Sequence, residues 1–247
     1  MVFNVHAGHS LICRGAKSVY LDEVDEDRKV KRKVVELLRA EGHTVYDCTD
    51  DIGSTQSANL SNIVKKCNAH TVDLDISIHL NSGRNDYSGD GKTGGVEVYG
   101  YNTAVRDVGQ RICQKVSGAL GITNRGFKVN TSFYVLRKTK AKAILIECCF
   151  VDDRDDALRW NADKCATAIV EGLLNRPINV KTEVSYYPRY TGTSYSIVDA
   201  LQAIRVDSSF GNRAKIAEKN GIKNYKGTAD QNSQLVKLLK AGKLIRA

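Results

Sequence analysis

The chain of 247 residues holds only two prolines, one tryptophan and one methionine. It also lacks any uninterrupted apolar run of the roughly 18 residues that a membrane-spanning helix needs, so no membrane insertion is expected. The amino terminus, Met1-Val-Phe-Asn-Val-His-Ala-Gly-His9, has neither the charged n-region nor the long apolar stretch of a secretory signal. The chain is therefore expected to begin inside its fold and to be made in a cytoplasm. Seven cysteines (13, 48, 67, 113, 148, 149 and 165) form an odd set with no C-x-x-C pair. That argues against a disulfide framework and against a thiolate zinc cluster. Cys148 and Cys149 lie in an apolar run, where a free thiol packs as a small hydrophobe.

The scarce prolines divide the chain. Pro177 and Pro188 fall within twelve residues of each other, and all seven cysteines precede them. This predicts a linker over 177–193 between a larger domain, 1–176, and a small module, 194–247. The charge is divided at the same place. Twelve of the 37 lysines and arginines but only five of the 28 carboxylates follow residue 179, so the net +9 splits into +2 and +7.

In the first part, strand-like and helical segments alternate. Strands are expected at Val2–Val5, Thr44–Asp47, Leu74–Asn81, Gly95–Tyr101, Tyr134–Leu136 and Ala143–Phe150. Helices are expected over about 25–41, 57–69, 103–120 and 153–174. Such alternation predicts an α/β domain of three layers, a mostly parallel sheet flanked by helices. The second part reads as a small all-α module of three short helices. One begins after Ser196, one opens at Asn212, and the third follows a Thr228-x-x-Gln231 capping box, with Gly221 and Gly242 at carboxyl-terminal caps.

Three places in the first part carry residues suited to chemistry. In Ala143-Ile-Leu-Ile-Glu147-Cys-Cys-Phe, a carboxylate interrupts a buried strand. Burial costs several kcal/mol, as an order of magnitude, unless the group is paired, hydrogen-bonded or near a metal. A salt bridge at the strand end is the structural alternative. In Asp73-Leu-Asp-Ile-Ser77-Ile-His79-Leu-Asn81, period-two alternation places Asp75, Ser77, His79 and Asn81 on one face. His79 thus sits at a strand's carboxyl end, where α/β sheets bind ligands, although it can equally be a solvent-facing histidine. Finally, Val5-His6-Ala-Gly8-His9-Ser10 runs from a strand into a glycine turn. Two histidines and a carboxylate would make a hydrolytic zinc site with its fourth position left to water. A third ligand can come from the acidic stretch Asp22-Glu23-Val-Asp25-Glu26-Asp27, whose members are otherwise partners of a helix dipole.

These segments resemble a known family. Ala-Gly-His9-Ser, Glu23 at a helix entry, Ile-Ser-Ile-His79-Leu-Asn81-Ser, Gly94-Gly95-Val-Glu97-Val, Asn124-Arg125-Gly126 and Ile-Leu-Ile-Glu147 follow the order of zinc amidases of the Amidase_3 type. The resemblance is greatest to endolysins of phages that infect clostridia and related Gram-positive bacteria, and it covers roughly 1–176. It implies one zinc ion per chain on His9, Glu23 and His79, with Glu26 the competing choice for the carboxylate, and Glu147 as the catalytic carboxylate. His6 is then a neighbour of the metal rather than a ligand. The implied reaction is hydrolysis of the amide between N-acetylmuramic acid and L-alanine in peptidoglycan, with Asn81, Arg125 and Glu97 orienting ligands or substrate. A zinc carboxypeptidase or deacetylase would use similar chemistry, and a non-catalytic peptidoglycan-binding protein could keep the fold. The implied course is synthesis in the host cytoplasm and action on the wall after release, as endolysin or autolysin.

The carboxyl-terminal pattern Phe210-Gly-Asn-Arg213…Asn-Gly221-Ile…Tyr225-x-Gly-Thr228 is similar to a short wall-binding module of the CW_7 type. A basic face suits a polyanionic wall polymer, and Tyr195, Phe210 and Tyr225 would stack on sugars beside Arg213. These aromatics can also be core residues of a small bundle. Nucleic acid is excluded as a partner because no nucleic-acid motif accompanies the charge. Oligomeric state is left open.

Overall fold

Six strands build the sheet: β1 (Val2–Ala7), β2 (Thr44–Asp47), β3 (Leu74–Asn81), β4 (Val96–Gly100), β5 (Asn124–Val129) and β6 (Ala143–Phe150), in the order β2-β1-β3-β6-β4-β5. β2, β1, β3 and β6 are parallel, whereas β4 runs antiparallel to β6 and β5 parallel to β4. The sheet is thus mixed and mostly parallel, as expected. A computed structural model describes residues 1–179 and 185–247, which fall into two units, Met1–Val180 and Lys181–Ala247. No helix among the described residues is long and apolar enough to cross a membrane.

The alternation along β6 explains the three layers of the first unit. Ile144 and Ile146 join one core with Phe3, Ile76, Ile78 and Val98. That core lies beneath α1 (Glu23–Ala40), α3 (Arg106–Leu120) and α6 (Ala162–Leu174). Ala143 and Leu145 face the opposite way and meet Ile63, Val64, Val135 and Leu136. Those residues belong to α2 (Gln56–Cys67) and α4 (Tyr134–Lys138). Both faces of the sheet are therefore covered, which is why its central strands are apolar almost throughout.

Several local expectations are corrected. Tyr134–Leu136 opens helix α4 rather than forming a strand. Asn130 Oδ1 accepts from the N–H groups of Ser132 and Phe133 (2.8 and 3.2 Å), turning the chain so that Val135 and Leu136 reach the second core as one helical face. β5 was not anticipated, because Asn124-Arg-Gly-Phe-Lys-Val has little of the composition of a buried strand. The helix expected over 153–174 is two, α5 (Arg154–Arg159) and α6. The break falls at Trp160, after which the Asn161 side chain caps α6 by accepting from Lys164 N.

In the second unit α7 (Ile197–Ala203), α8 (Phe210–Lys219) and α9 (Ala229–Lys240) close around Ile197, Leu201, Ile216, Leu235, Leu239 and Leu244. Ser196, Ser209 and Thr228 cap the three helices, and the Thr228–Gln231 capping box is formed. The Ser209 cap starts α8 at Phe210, two residues before the expected Asn212. The segment expected as a linker, 177–193, carries residues packed on each core. Ile178 is buried in the first core, while Tyr187 and Tyr190 pack on the second and their N–H groups donate to Leu244 O and Leu239 O (2.8 and 3.3 Å). Residues 180–184 of that segment lie outside the described residues.

Candidate metal centre and active site

Because β1, β3 and β6 are adjacent and parallel, the residues at their carboxyl ends meet. His79 on β3 pairs in register with Glu147 on β6, and Glu147 pairs in turn with Glu97 on β4. His9 follows the end of β1, and Glu23 is the first residue of α1. Together His9, Glu23, His79 and Glu147 line a cavity of about 510 Å³, with Asn81, Arg14 and Gln56 on its walls.

Glu23 is the hub. Its Oε1 lies 3.0 Å from His79 Nδ1 and accepts from Leu80 N (3.2 Å), and its Oε2 lies 3.6 Å from His9 Nε2 and accepts from Ala16 N (2.8 Å). Two backbone donors thus fix the carboxylate while both imidazoles face it. One ligand atom each from His9, Glu23 and His79 falls within a span of 4.8 Å, a set able to hold a metal ion. Glu26 is occupied elsewhere, accepting from the Trp160 indole (2.8 Å) and pairing with Lys29 (2.6 Å). Glu23 and Asp27 both turn toward the strand ends that carry the histidines, whereas Glu26 is held toward Trp160.

Further residues hold His9, Glu23 and His79 in place. Asp27, which the sequence reading left within the acidic stretch, accepts from Gly8 N (3.3 Å) and pairs with Arg28 (3.1 Å). Arg28 donates to His9 O (2.6 Å) and so pins the loop that carries this imidazole. Ser77 Oγ lies 3.1 Å from His79 Nε2 and 3.5 Å from His6 Nδ1. His6 is therefore buried behind the cluster. Gly8 and Gly15 are needed for the close approach, because a Cβ on Gly8 would strike the His79 ring and one on Gly15 would strike Glu23 and His9. Gly8→Ala is expected to push His79 aside and weaken metal retention by about 10–100-fold, as losses around metal ligands do, read by equilibrium dialysis against metal.

The electrostatics are asymmetric. Burial pushes the Glu147 carboxyl up to about 7, with His79 acting against the shift and Glu23 and Glu97 adding to it. Its Oε2 is buried without a hydrogen-bond partner. Burial opposes charge on His79, yet the hydrogen bond to Glu23 and the surrounding carboxylates lift it to about 9. Burial lowers His9, partly offset by Glu23. His6 falls to about 3 through burial and the His79 charge. The donor set therefore fits a cation. It has two imidazoles, one carboxylate anchored by backbone amides, and a second carboxyl oxygen with nothing to bond.

Asn81 and Arg125 are tied to Glu97. Glu97 accepts from Asn81 Nδ2 (2.7 Å), Tyr99 OH (2.8 Å), Arg125 Nε (2.7 Å) and Lys128 Nζ, and Arg125, Lys128 and Tyr99 hold its carboxyl below the usual range despite burial. Asn81 lines the cavity, whereas Arg125 lies outside that lining, its guanidinium 5.1 Å over the Phe150 ring. In the second unit, Tyr195 is 83% and Phe210 52% exposed. Tyr225 instead packs on the core, with its hydroxyl between Arg213 Nε (3.0 Å) and Asn232.

Fold and site together define an α/β protein with a His–Glu–His cradle and a buried carboxyl at the carboxyl ends of neighbouring strands. Residues 4–175 match the N-acetylmuramoyl-L-alanine amidase family Amidase_3, and the chain belongs to that family. It is similar to the catalytic domain of the CD27L endolysin targeting Clostridia difficile, with 30% identity and a TM-score of 0.63, covering 72% of this chain and 99% of that one. It is 31% identical over 188 residues to an uncharacterised protein of Clostridium perfringens, covering 74% of this chain and 55% of that protein. A stretch of 50 residues is 54% identical to the L-alanyl-D-glutamate peptidase of Listeria phage A118, covering 20% of this chain and 18% of the peptidase. The chain spans about half the length of the two Clostridium perfringens proteins it matches, 55% and 45%.

Proposed function

We propose that the chain is a zinc-dependent N-acetylmuramoyl-L-alanine amidase that hydrolyses the amide between N-acetylmuramic acid and L-alanine of bacterial peptidoglycan, serving as a phage endolysin or autolysin. The observation that carries this reading is the convergence of His9, Glu23 and His79 beside the unpartnered Glu147 Oε2 in one cavity. His9, Glu23 and His79 would hold one zinc ion, which when bound supplies a Lewis acid for the scissile carbonyl and lowers the pKa of water toward about 7. Glu147 takes the proton from the attacking water and returns it to the departing L-alanine nitrogen. Its site suits both halves of that task, since burial keeps the proton affinity of the carboxyl near neutrality and nothing else competes for Oε2. Glu97 and Ser82 N fix the Asn81 amide at the cavity wall, beside the space the substrate would enter.

Membership of the amidase family selects this bond over those of a carboxypeptidase or deacetylase. The second unit serves as the wall-binding part, with Tyr195, Phe210, Arg213 and Tyr225 as its candidate contacts. Action follows release from the host cytoplasm.

The test is metal content together with digestion of purified Gram-positive walls, before and after chelation and zinc restoration. One zinc per chain and chelator-sensitive appearance of L-alanine amino termini are expected. Free acetate would indicate a deacetylase, and released terminal amino acids a carboxypeptidase. Wall binding without new termini would leave a non-catalytic binding protein.

A further inference from the structure

Residues 181–247 carry twelve lysines and arginines against five carboxylates. Among the described residues, every ion pair within 4.0 Å lies in the first unit and none in the second. The excess positive charge of the second unit is therefore left unneutralised, which is the footprint of a polyanionic partner.

The tyrosine-rich stretch 185–195 gives this charge a place. Arg189 Nε donates to Lys240 O (2.9 Å) at the last turn of α9, and Lys240 Nζ stands 3.9 Å above the Tyr195 ring and 5.8 Å from Tyr190. Arg246 donates to Tyr186 O (3.0 Å), and its guanidinium lies 5.4 Å over Tyr187. Cations at a helix carboxyl end also complement its dipole. Lys240 Nζ also lies 3.5 Å from Thr193 O, and these contacts still leave donors over, since a guanidinium has five N–H donors and an ammonium three. Exposed rings at Tyr186 (46%) and Tyr195 (83%) flank these donors. Aromatic faces beside free cationic donors suit a polymer that alternates hydroxylated spacers with phosphodiesters: the rings pack on C–H surfaces of sugar or polyol, and the cations meet the phosphates.

We propose that this tyrosine–cation surface at the carboxyl end of α9, centred on Arg189, Tyr195 and Lys240, docks the phosphodiester-linked sugar or polyol polymer of Gram-positive walls. The proposal rests on the reading of the chain as a wall hydrolase, which selects the wall polymer over other phosphodiesters. It assigns recognition to phosphate charge, at a place separate from the Phe210–Arg213–Tyr225 cluster.

The test uses the full chain carrying Glu147→Gln, so that the wall is not consumed, sedimented with purified walls over a salt titration. Walls stripped of phosphodiester polymers by hydrofluoric acid are compared with untreated ones. Binding to untreated walls is expected to weaken steeply with salt and to fall at least about tenfold on stripped walls. Arg189→Gln with Lys240→Gln is expected to lower the slope of log affinity against log salt by about one per cation removed. Tyr195→Ser, which removes an exposed ring and its contact with Lys240, is expected to weaken binding while changing the slope less than the double cation variant does. Lys215→Gln with Lys219→Gln on α8 serves as the charge-matched control and is expected to change the slope less. Equal binding to stripped walls, or an equal effect of the control pair, would overturn the proposal. So would displacement by duplex DNA at lower phosphate concentration than by the isolated wall polymer, which would point to nucleic acid. The appearance of L-alanine amino termini with the unsubstituted chain is scored separately, so failure of the amidase reading is distinguishable from failure of this one.

Discussion

Glu147→Gln is expected to abolish wall hydrolysis and, in the metal-free protein above pH 7, to make the first unit more stable. Loss of a proton carrier costs roughly 10²–10⁴ in rate, read as L-alanine amino termini released per unit time. The stability gain follows from burial. The Glu147 carboxyl moves from 4.5 to about 7 in the folded chain. A carboxyl whose folded pKa is raised binds its proton more tightly when folded, so ionisation weakens the fold. Below pH 4.5 both states are protonated and the penalty is absent. It grows between 4.5 and 7 and is complete above 7, at roughly 3 kcal/mol for a shift of this size. Glutamine keeps the shape and removes the penalty. Thermal unfolding in chelator should therefore show Tm of the variant above the parent by about 6–12 °C at pH 8 and by almost nothing at pH 4. Equal Tm at pH 8 would mean that the buried oxygen is solvated by other means, and retained turnover would remove Glu147 from the reaction.

The same physics governs which parts of the molecule could be read from the sequence. A carboxylate inside Ile-Leu-Ile-Glu147-Cys-Cys is conspicuous because burial makes it costly, so the residue with the unpartnered oxygen was visible before the fold was. His79 was visible for a related reason, since period-two alternation put it at the end of a central strand. Glu23 was recognisable only through the family resemblance. Composition alone does not separate it from Glu26, because their difference is one of helical phase: one faces the histidines and the other Trp160. Asp27 and Arg28 act through backbone atoms of Gly8 and the loop bearing His9, contacts that leave no pattern in the chain.

At 134–136 and along β5, tertiary packing overrides local preference. Tyr-Val-Leu at 134–136 favours a strand locally, yet it forms a helical turn whose Val135 and Leu136 pack in one core with Ala143 and Leu145. β5 is held by its pairing with β4 and by Arg125 and Lys128 on Glu97 rather than by its own apolar content. Around the two prolines, Ile178 packs in the first core, whereas Tyr187 and Tyr190 find apolar partners in the second.

Zinc uptake by the metal-free protein is expected to release about one proton per ion at pH 8 and to tighten about tenfold per pH unit up to pH 9. Metal binding requires neutral imidazoles. Burial already lowers His9, so it arrives neutral, whereas the carboxylates around His79 raise that imidazole to about 9 and keep its proton on at pH 8. The Glu23–His79 contact in the metal-free protein is thus an ion pair, with the proton doing in part what a metal cation would do. The stability consequence has a definite sign. His79 has a folded pKa above its unfolded 6.5, so its contribution is complete below 6.5 and is lost as pH rises through 9. Glu147 begins to weaken the fold between 4.5 and 7. Both trends make the metal-free protein less stable toward alkaline pH, while a bound cation replaces the lost proton. The Tm difference between zinc-loaded and chelated protein should therefore widen between pH 6.5 and 9. Titration calorimetry in two buffers of unlike ionisation enthalpy gives the proton count directly. No proton release at pH 8 would show that His79 is neutral before the metal arrives, and a Tm gap independent of pH would show that the Glu23–His79 pair carries no net stabilisation.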